Sequence, residues 1–134
     1  MSVVRFGVSL EEDLLSRLDR LVEDNQFPNR SQAIRFLINT RIIEQNWKDD
    51  EEVAGALVLI YDHHKRELQK HMTGIQHDYH CLILSSQHIH LNHDLCLETI
   101  TLKGKAGKLS NLSNKLKALK GIYHGELVMT GLPD

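Results

Sequence analysis

The sequence is poor in the residues that staple or punctuate small folds. It has two cysteines, two prolines and one tryptophan in 134 residues, and aromatics make up only 5%. Two thiols, Cys81 and Cys96, cannot form a disulfide framework, and in a reducing compartment they read as free thiols or ligands. No apolar run approaches the roughly 20 residues of a membrane span. The opening Met1-Ser2-Val3-Val4-Arg5 lacks the apolar stretch of a secretory signal. The expectation is a cytoplasmic chain with no membrane partner. An excess of either charge is lacking too: the formal net charge is −2, so bulk charge does not announce nucleic acid. Its distribution is more telling. Lysine is absent before Lys48, and the cations there are Arg5, Arg17, Arg20, Arg30, Arg35 and Arg41. The guanidinium fork suits base edges and phosphates, although such arginines also serve as plain solvated surface.

What is present is a 41% hydrophobic content with two kinds of periodicity. Val4, Phe6, Val8 and Leu10 alternate with Arg5, Gly7 and Ser9, which predicts a half-buried strand over 3–10. Ser9-Leu10-Glu11-Glu12 reads as a capping box that starts a helix with Leu14, Leu18, Leu21 and Val22 inward. Asn25-Gln26-Phe27-Pro28 stops it. Asn29 or Ser31 caps a second helix, running to about Trp47, with Ile34, Leu37, Ile38 and Ile42 inward. A strand and two helices cannot bury these faces alone, and a lone strand leaves both edges unpaired. Pairing with the same strand of a second copy answers both needs. The two-stranded ribbon then presents Arg5, Gly7 and Ser9 outward, in a form that fits the DNA major groove.

Residues 48–52, Lys48-Asp49-Asp50-Glu51-Glu52, read as an acidic, solvated linker. Beyond it Val53 to Tyr61 is a strand, and Asp62 caps a helix bearing Leu68, Met72 and Ile75. His80 to Leu91 is a strand, Asn92-His93-Asp94 a turn, and Cys96 to Lys103 the return strand. Leu109, Leu112, Leu116 and Leu119 line a last helix ending near Gly121, and Ile122 to Thr130 is a final strand. The order βαββαβ is the ferredoxin-like pattern. The class is α+β: a βαα unit at 1–47, the linker, and a βαββαβ unit at 53–134. Gly104-Lys105-Ala106-Gly107-Lys108 lacks the spacing of a phosphate loop.

Nine histidines occur, six of them between His71 and His93. His88 and His90 are two apart in a strand, so both rings leave one face, about 7 Å apart at Cα. Cys96 opens the partner strand across a tight turn and can reach the same end of the hairpin. His77 closes the preceding helix. Imidazoles plus one thiolate suit zinc, copper or nickel; tetrahedral coordination would favour zinc, planar coordination nickel or copper. Four protein ligands leave no open position for catalysis, and no acid–base pair stands beside them, so an enzyme is not expected. Cys81 reads as a buried strand residue, His80 as a surface histidine and His124 as structural.

Gln76-His77 followed by His88-Ile89-His90-Leu91-Asn92-His93-Asp94-Leu95-Cys96-Leu97-Glu98 resembles the metal site of the nickel-responsive transcriptional regulators, the NikR family. Arg5 to Leu10 and Asn29-Arg30-Ser31-Gln32-Ala33-Ile34-Arg35 resemble that family's ribbon-helix-helix domain, and 53–134 its ACT-type domain. The resemblance implies a homotetramer, a dimer of dimers, with one Ni(II) per subunit. It implies His88, His90 and Cys96 of one subunit as ligands, with His77 of another. It implies an inverted-repeat double-stranded DNA operator of nickel-uptake genes, bound and repressed when nickel is bound. Arg5, Gly7 and Ser9 occupy the base-reading positions, where Gly7 departs from an expected hydroxyl residue. Asn29, Arg30 and Ser31 resemble a phosphate anchor. His63 and His64, with His93, are implied as a possible secondary or incoming metal site. Gln32 stands where some relatives carry an acidic residue, so a cation site there is not expected. The alternatives are a zinc- or copper-responsive regulator, or an ACT-domain regulator sensing a small molecule; the latter leaves the His/Cys cluster unexplained.

Overall fold

A computed structural model describes residues 2–133. The chain forms two compact units, one ending at Arg41 and one beginning at Ile42. The division falls within a helix.

In the first unit, residues 3–10 are extended and exposed but form no strand. Val3, Val4 and Phe6 are at least three-quarters exposed. A strand exists only through the hydrogen bonds of a partner edge, and a single chain offers this segment none. Helix α1 spans Glu12–Asp24. Its N-cap is Glu11, with no side-chain hydrogen bond, so the expected capping box at Ser9 does not form. Helix α2 spans Arg30–Lys48. Asn29 caps it, its Oδ1 accepting the Gln32 N–H at 2.9 Å, and Ser31 lies inside the first turn. Only Ala33 is fully buried here. Of the inward residues expected of α2, Ile34 is partly buried, while Leu37, Ile38 and Ile42 retain 46–52% of their surface. Phe6, Val8, Leu10, Leu14, Leu18 and Ile34 line an apolar groove of about 420 Å³.

The second unit has strands β1 (Glu52–Asp62), β2 (Ile83–His90), β3 (Leu95–Lys105) and β4 (Ile122–Thr130). Helix α3 (Arg66–Asp78) follows β1, and α4 (Ala106–Lys117) follows β3. The sheet order is β2-β3-β1-β4, and every pairing is antiparallel. The sequence predicts this order of elements with small shifts in their ends. Lys65 rather than Asp62 precedes α3; Asp62 instead accepts the His64 N–H at 2.9 Å, turning the chain sharply out of β1. A 3₁₀ turn at His80–Leu82 delays β2 to Ile83. Cys81 sits in that turn and is exposed, contrary to its expected burial in a strand.

Alternation in β1 and β3 sends every second residue under the helices. Val53, Leu57, Leu59 and Tyr61 meet Ile100, Leu102 and Cys96, and Leu109, Leu112 and Leu116 of α4 close the layer. At the β2–β3 hairpin end, the core face terminates in Cys96 and Glu98, both buried. The packing sets a clear expectation for stability. Leu112→Ala, at a wholly buried position, is expected to cost about 2–5 kcal/mol. Asn111→Ala, on the exposed side of the same turn, is expected to change stability by less than about 0.5 kcal/mol. Urea unfolding of the two variants compares them directly.

Candidate metal centre

The β2–β3 register sets His90 opposite Cys96 and His88 opposite Glu98. Opposed residues of an antiparallel pair point the same way. Cys96 and Glu98 face the helices, so His88 and His90 do too. The His88 Nε2 lies 3.2 Å from Cys96 Sγ, and the His88 and His90 rings are 5.4 Å apart.

A further imidazole joins them. His63 follows β1, where its N–H donates to the Asp94 carbonyl at 3.1 Å. Its ring lies 4.4 Å from that of His90. Ligand atoms of His63, His90 and Cys96 all fall within 4.8 Å of one another. His63 Nε2 is 2.7 Å from the His93 carbonyl, which only accepts, so Nε2 carries the proton and Nδ1 keeps its lone pair.

His77 stands apart. It occupies the last turn of α3, exposed, with its ring 6.0 Å from that of His80. His80 Nδ1 donates to the His77 carbonyl at 3.0 Å, and His80 Nε2 faces the exposed Cys81 Sγ at 3.4 Å. A single chain therefore brings together His88, His90 and Cys96 of the expected ligands, plus His63, and leaves His77 outside. The histidines expected as a secondary site also divide. His64 and His93 group with Asp94 within 4.8 Å, whereas His63 lies with Cys96. His93 Nδ1 is 3.0 Å from Asp94 Oδ1, an interaction that holds the Asp94 carboxyl below its usual range. His124 is exposed on β4, 4.0 Å from Glu126.

Behind the ligands lies a polar network. Glu98 is 7% exposed. Its Oε1 accepts from the Tyr61 hydroxyl at 2.7 Å, and its Oε2 from Gln76 Nε2 at 2.8 Å and Ser86 Oγ at 3.1 Å. With its proton committed to Glu98, the Tyr61 oxygen is an acceptor for His88 Nδ1 at 3.2 Å. That contact puts the imidazole proton on Nδ1 and leaves the Nε2 lone pair aimed at Cys96. Burial, then the bond to Glu98, raises the Tyr61 phenol far above its ordinary range, so it stays a donor. Burial, then the charges of Glu98 and Asp62, also raises the Cys96 thiol. At neutral pH that thiol holds its proton, which a metal must displace.

Glu98 had a visible signal: it lies two residues beyond Cys96 in a strand and must share its face. Tyr61 had none, because its pairing with Cys96 across β1–β3 is a long-range register. Three imidazoles and a convertible thiol within a few ångströms fit a borderline or soft divalent ion rather than magnesium or calcium.

Comparison with known proteins agrees with this chemistry. Residues 54–130 match the family model described as the NikR C-terminal nickel-binding domain. The chain belongs to the NikR family. Residues 4–45 of this NikR chain match the ribbon-helix-helix proteins of the CopG family. A relative from Syntrophus aciditrophicus is 51% identical, covering 97% of this chain and 95% of that protein. One from Nitratidesulfovibrio vulgaris is 47% identical over 95% of this chain and 92% of its own. One from Thermococcus onnurineus is 42% identical over 97% and 95%. Each is named a nickel-responsive regulator. An uncharacterised protein of Thermotoga maritima shares the fold over 59% of this chain, with a TM-score of 0.54 and 16% identity.

In the ribbon-helix-helix part of this NikR chain, Arg5, Gly7 and Ser9 lie exposed on the extended segment, and nothing lies within 4 Å of where a Cβ at Gly7 would stand. Asn29 is occupied as the cap of α2. Arg30 forks onto both Asp19 oxygens at 2.7 and 3.0 Å, while Ser31 is exposed.

Two outcomes follow for the metal centre. Tyr61→Phe keeps the ring but frees His88 Nδ1, and nickel affinity is expected to fall about 10–100-fold with stoichiometry unchanged, read by titration against a competing chelator. Because Cys96 must lose its proton, nickel affinity is expected to rise about tenfold per pH unit around neutrality. Calorimetry in buffers of different ionisation heat should count the released proton.

Proposed function

We propose that this protein is a nickel-responsive transcriptional regulator of the cytoplasm. It binds operator DNA when nickel is bound and represses nickel-uptake genes. The observation carrying the reading is the convergence of Cys96 Sγ on His88 Nε2 at 3.2 Å, backed by the buried Glu98 network. The relatives' names and the ribbon-helix-helix match point the same way.

His88, His90 and Cys96 of one subunit would hold one Ni(II), and His77 of a second copy would complete the set. Its exposed place at the end of α3, outside its own chain's cluster, suits a ligand given to another subunit. The assembly is a homotetramer, a dimer of dimers, with the nickel-binding half at 53–134 of the ACT type and the DNA-reading half at 1–47. In each dimer the 3–10 segments pair into a ribbon, their apolar residues closing the groove beside α1 and α2. Arg5 and Ser9 then face base edges, with Gly7 contributing backbone only. Asn29, Arg30 and Ser31 approach phosphate through the N-terminus of α2. When bound, nickel would supply a cation for which His88, His90 and Cys96, with His77 of a second copy, are the donors. The surrounding residues orient it: Tyr61 fixes the His88 tautomer, and Glu98 holds Tyr61.

A second ion place is favoured by His64, His93 and Asp94, whose ligand atoms lie within 4.8 Å of one another at the surface. His63 stands between the two groups, its ring 4.4 Å from His90 and 4.0 Å from His64.

The test is a gel shift with the full-length protein on an inverted-repeat DNA selected from a random library. Nickel is expected to raise affinity by roughly 5–150-fold. Zinc and copper, matched in concentration, separate the alternative signals. His77→Ala is expected to keep the fold and lose most of the nickel response. If saturating nickel leaves DNA affinity unchanged, the sensor reading fails.

A further inference from the structure

The acidic run at 48–52 has the composition of a flexible joint, yet within its own unit it is fastened at several points. The Ile43 side chain packs against Gly131, where an added Cβ would sit 2.8 Å from Cγ1. The Trp47 indole lies over Gly55 of β1, 3.6 Å from where a Cβ would stand, and its Nε1 donates to the Thr130 carbonyl at 2.8 Å. The Glu51 N–H donates to the Asn46 carbonyl at 2.9 Å, and the Ala106 N–H to the Glu51 carbonyl at 3.0 Å. Asp50 takes a left-handed φ of 54°, a conformation aspartate tolerates, and so aims Oδ1 at the first turn of α4. There it accepts the Gly107 N–H at 2.7 Å.

Just before Ile42 the helix carries a side-chain bond to its own backbone. Thr40 Oγ1 donates back to the Phe36 carbonyl at 2.9 Å. Such a bond to the residue four earlier loosens and often bends a helix. The division between the compact units falls one residue later, between Arg41 and Ile42.

We propose that the pivot between the DNA-reading and metal-binding units lies inside α2, at Thr40 to Ile42, and not in the acidic run. From Ile43 onward α2 is a lever fixed to the metal-binding sheet. Strand β1 carries Gly55 under Trp47 and, six residues on, Tyr61 behind the metal ligands. One strand thus joins the lever to the site. The proposal rests on the nickel-dependent DNA binding put forward above.

Hydrogen–deuterium exchange on the full-length protein, with and without nickel, tests it. Amides of 43–51 are expected to exchange as slowly as those of β1, and the nickel-sensitive exchange within α2 to fall at 38–42. Fastest exchange at 48–52, or a nickel effect centred there, would overturn the proposal. Trp47→Phe and Asp50→Ala supply a second reading. Both are expected to keep nickel stoichiometry while reducing the nickel-induced gain in DNA affinity by roughly 2–30-fold. A wild-type protein without any nickel dependence defeats the proposed function, and the exchange map then decides the pivot alone. A nickel-dependent wild type with both variants unchanged defeats the pivot.

Discussion

A buried carboxylate organises the metal-binding half. Glu98 lies where the apolar core gives out, and three donors from β1, α3 and β2 converge on it. An anion in that position is costly unless its lone pairs are satisfied. Satisfying them fixes Tyr61, Gln76 and Ser86 together, and Tyr61 in turn fixes the His88 ring. The candidate metal ligands therefore inherit their aim from a requirement of burial. The arrangement also explains why Cys96 is a protonated thiol until something more attractive than a proton arrives: apolar packing and two nearby carboxylates both oppose thiolate.

The two halves differ in how far one chain can complete itself. The βαββαβ half closes a real core, with three leucines of α4 pressed onto a four-stranded antiparallel sheet. Among its described residues the N-terminal half buries only Ala33, and it leaves a groove lined by apolar side chains. Amphipathic patterning without a partner produces helices but no strand, because helices satisfy their own backbone groups and strands do not.

The sequence made the element order legible because β1 and β3 alternate cleanly and α4 repeats leucine at helical spacing. It also made most of the metal cluster legible, since His88, His90 and Cys96 depend only on strand periodicity and one tight turn. Residues that come from elsewhere in the chain were harder. His63 joins the cluster through its backbone bond to Asp94, thirty-one positions away, and Tyr61 through a β1–β3 register. Composition does not show that Asp50 accepts the Gly107 N–H or that Asp49 accepts from Gln45, since both partners are set by the fold. Local pattern misled at Cys81, because a 3₁₀ turn occupies the first residues of the expected strand.

The two thiols end up in opposite surroundings, one sealed in the core and one in an open turn beside an imidazole. In a single chain a thiol reagent therefore meets Cys81 before Cys96, because access to sulfur is set by depth. The sulfur of the candidate metal cluster is thereby the sheltered one, and labelling of the outer thiol leaves it untouched.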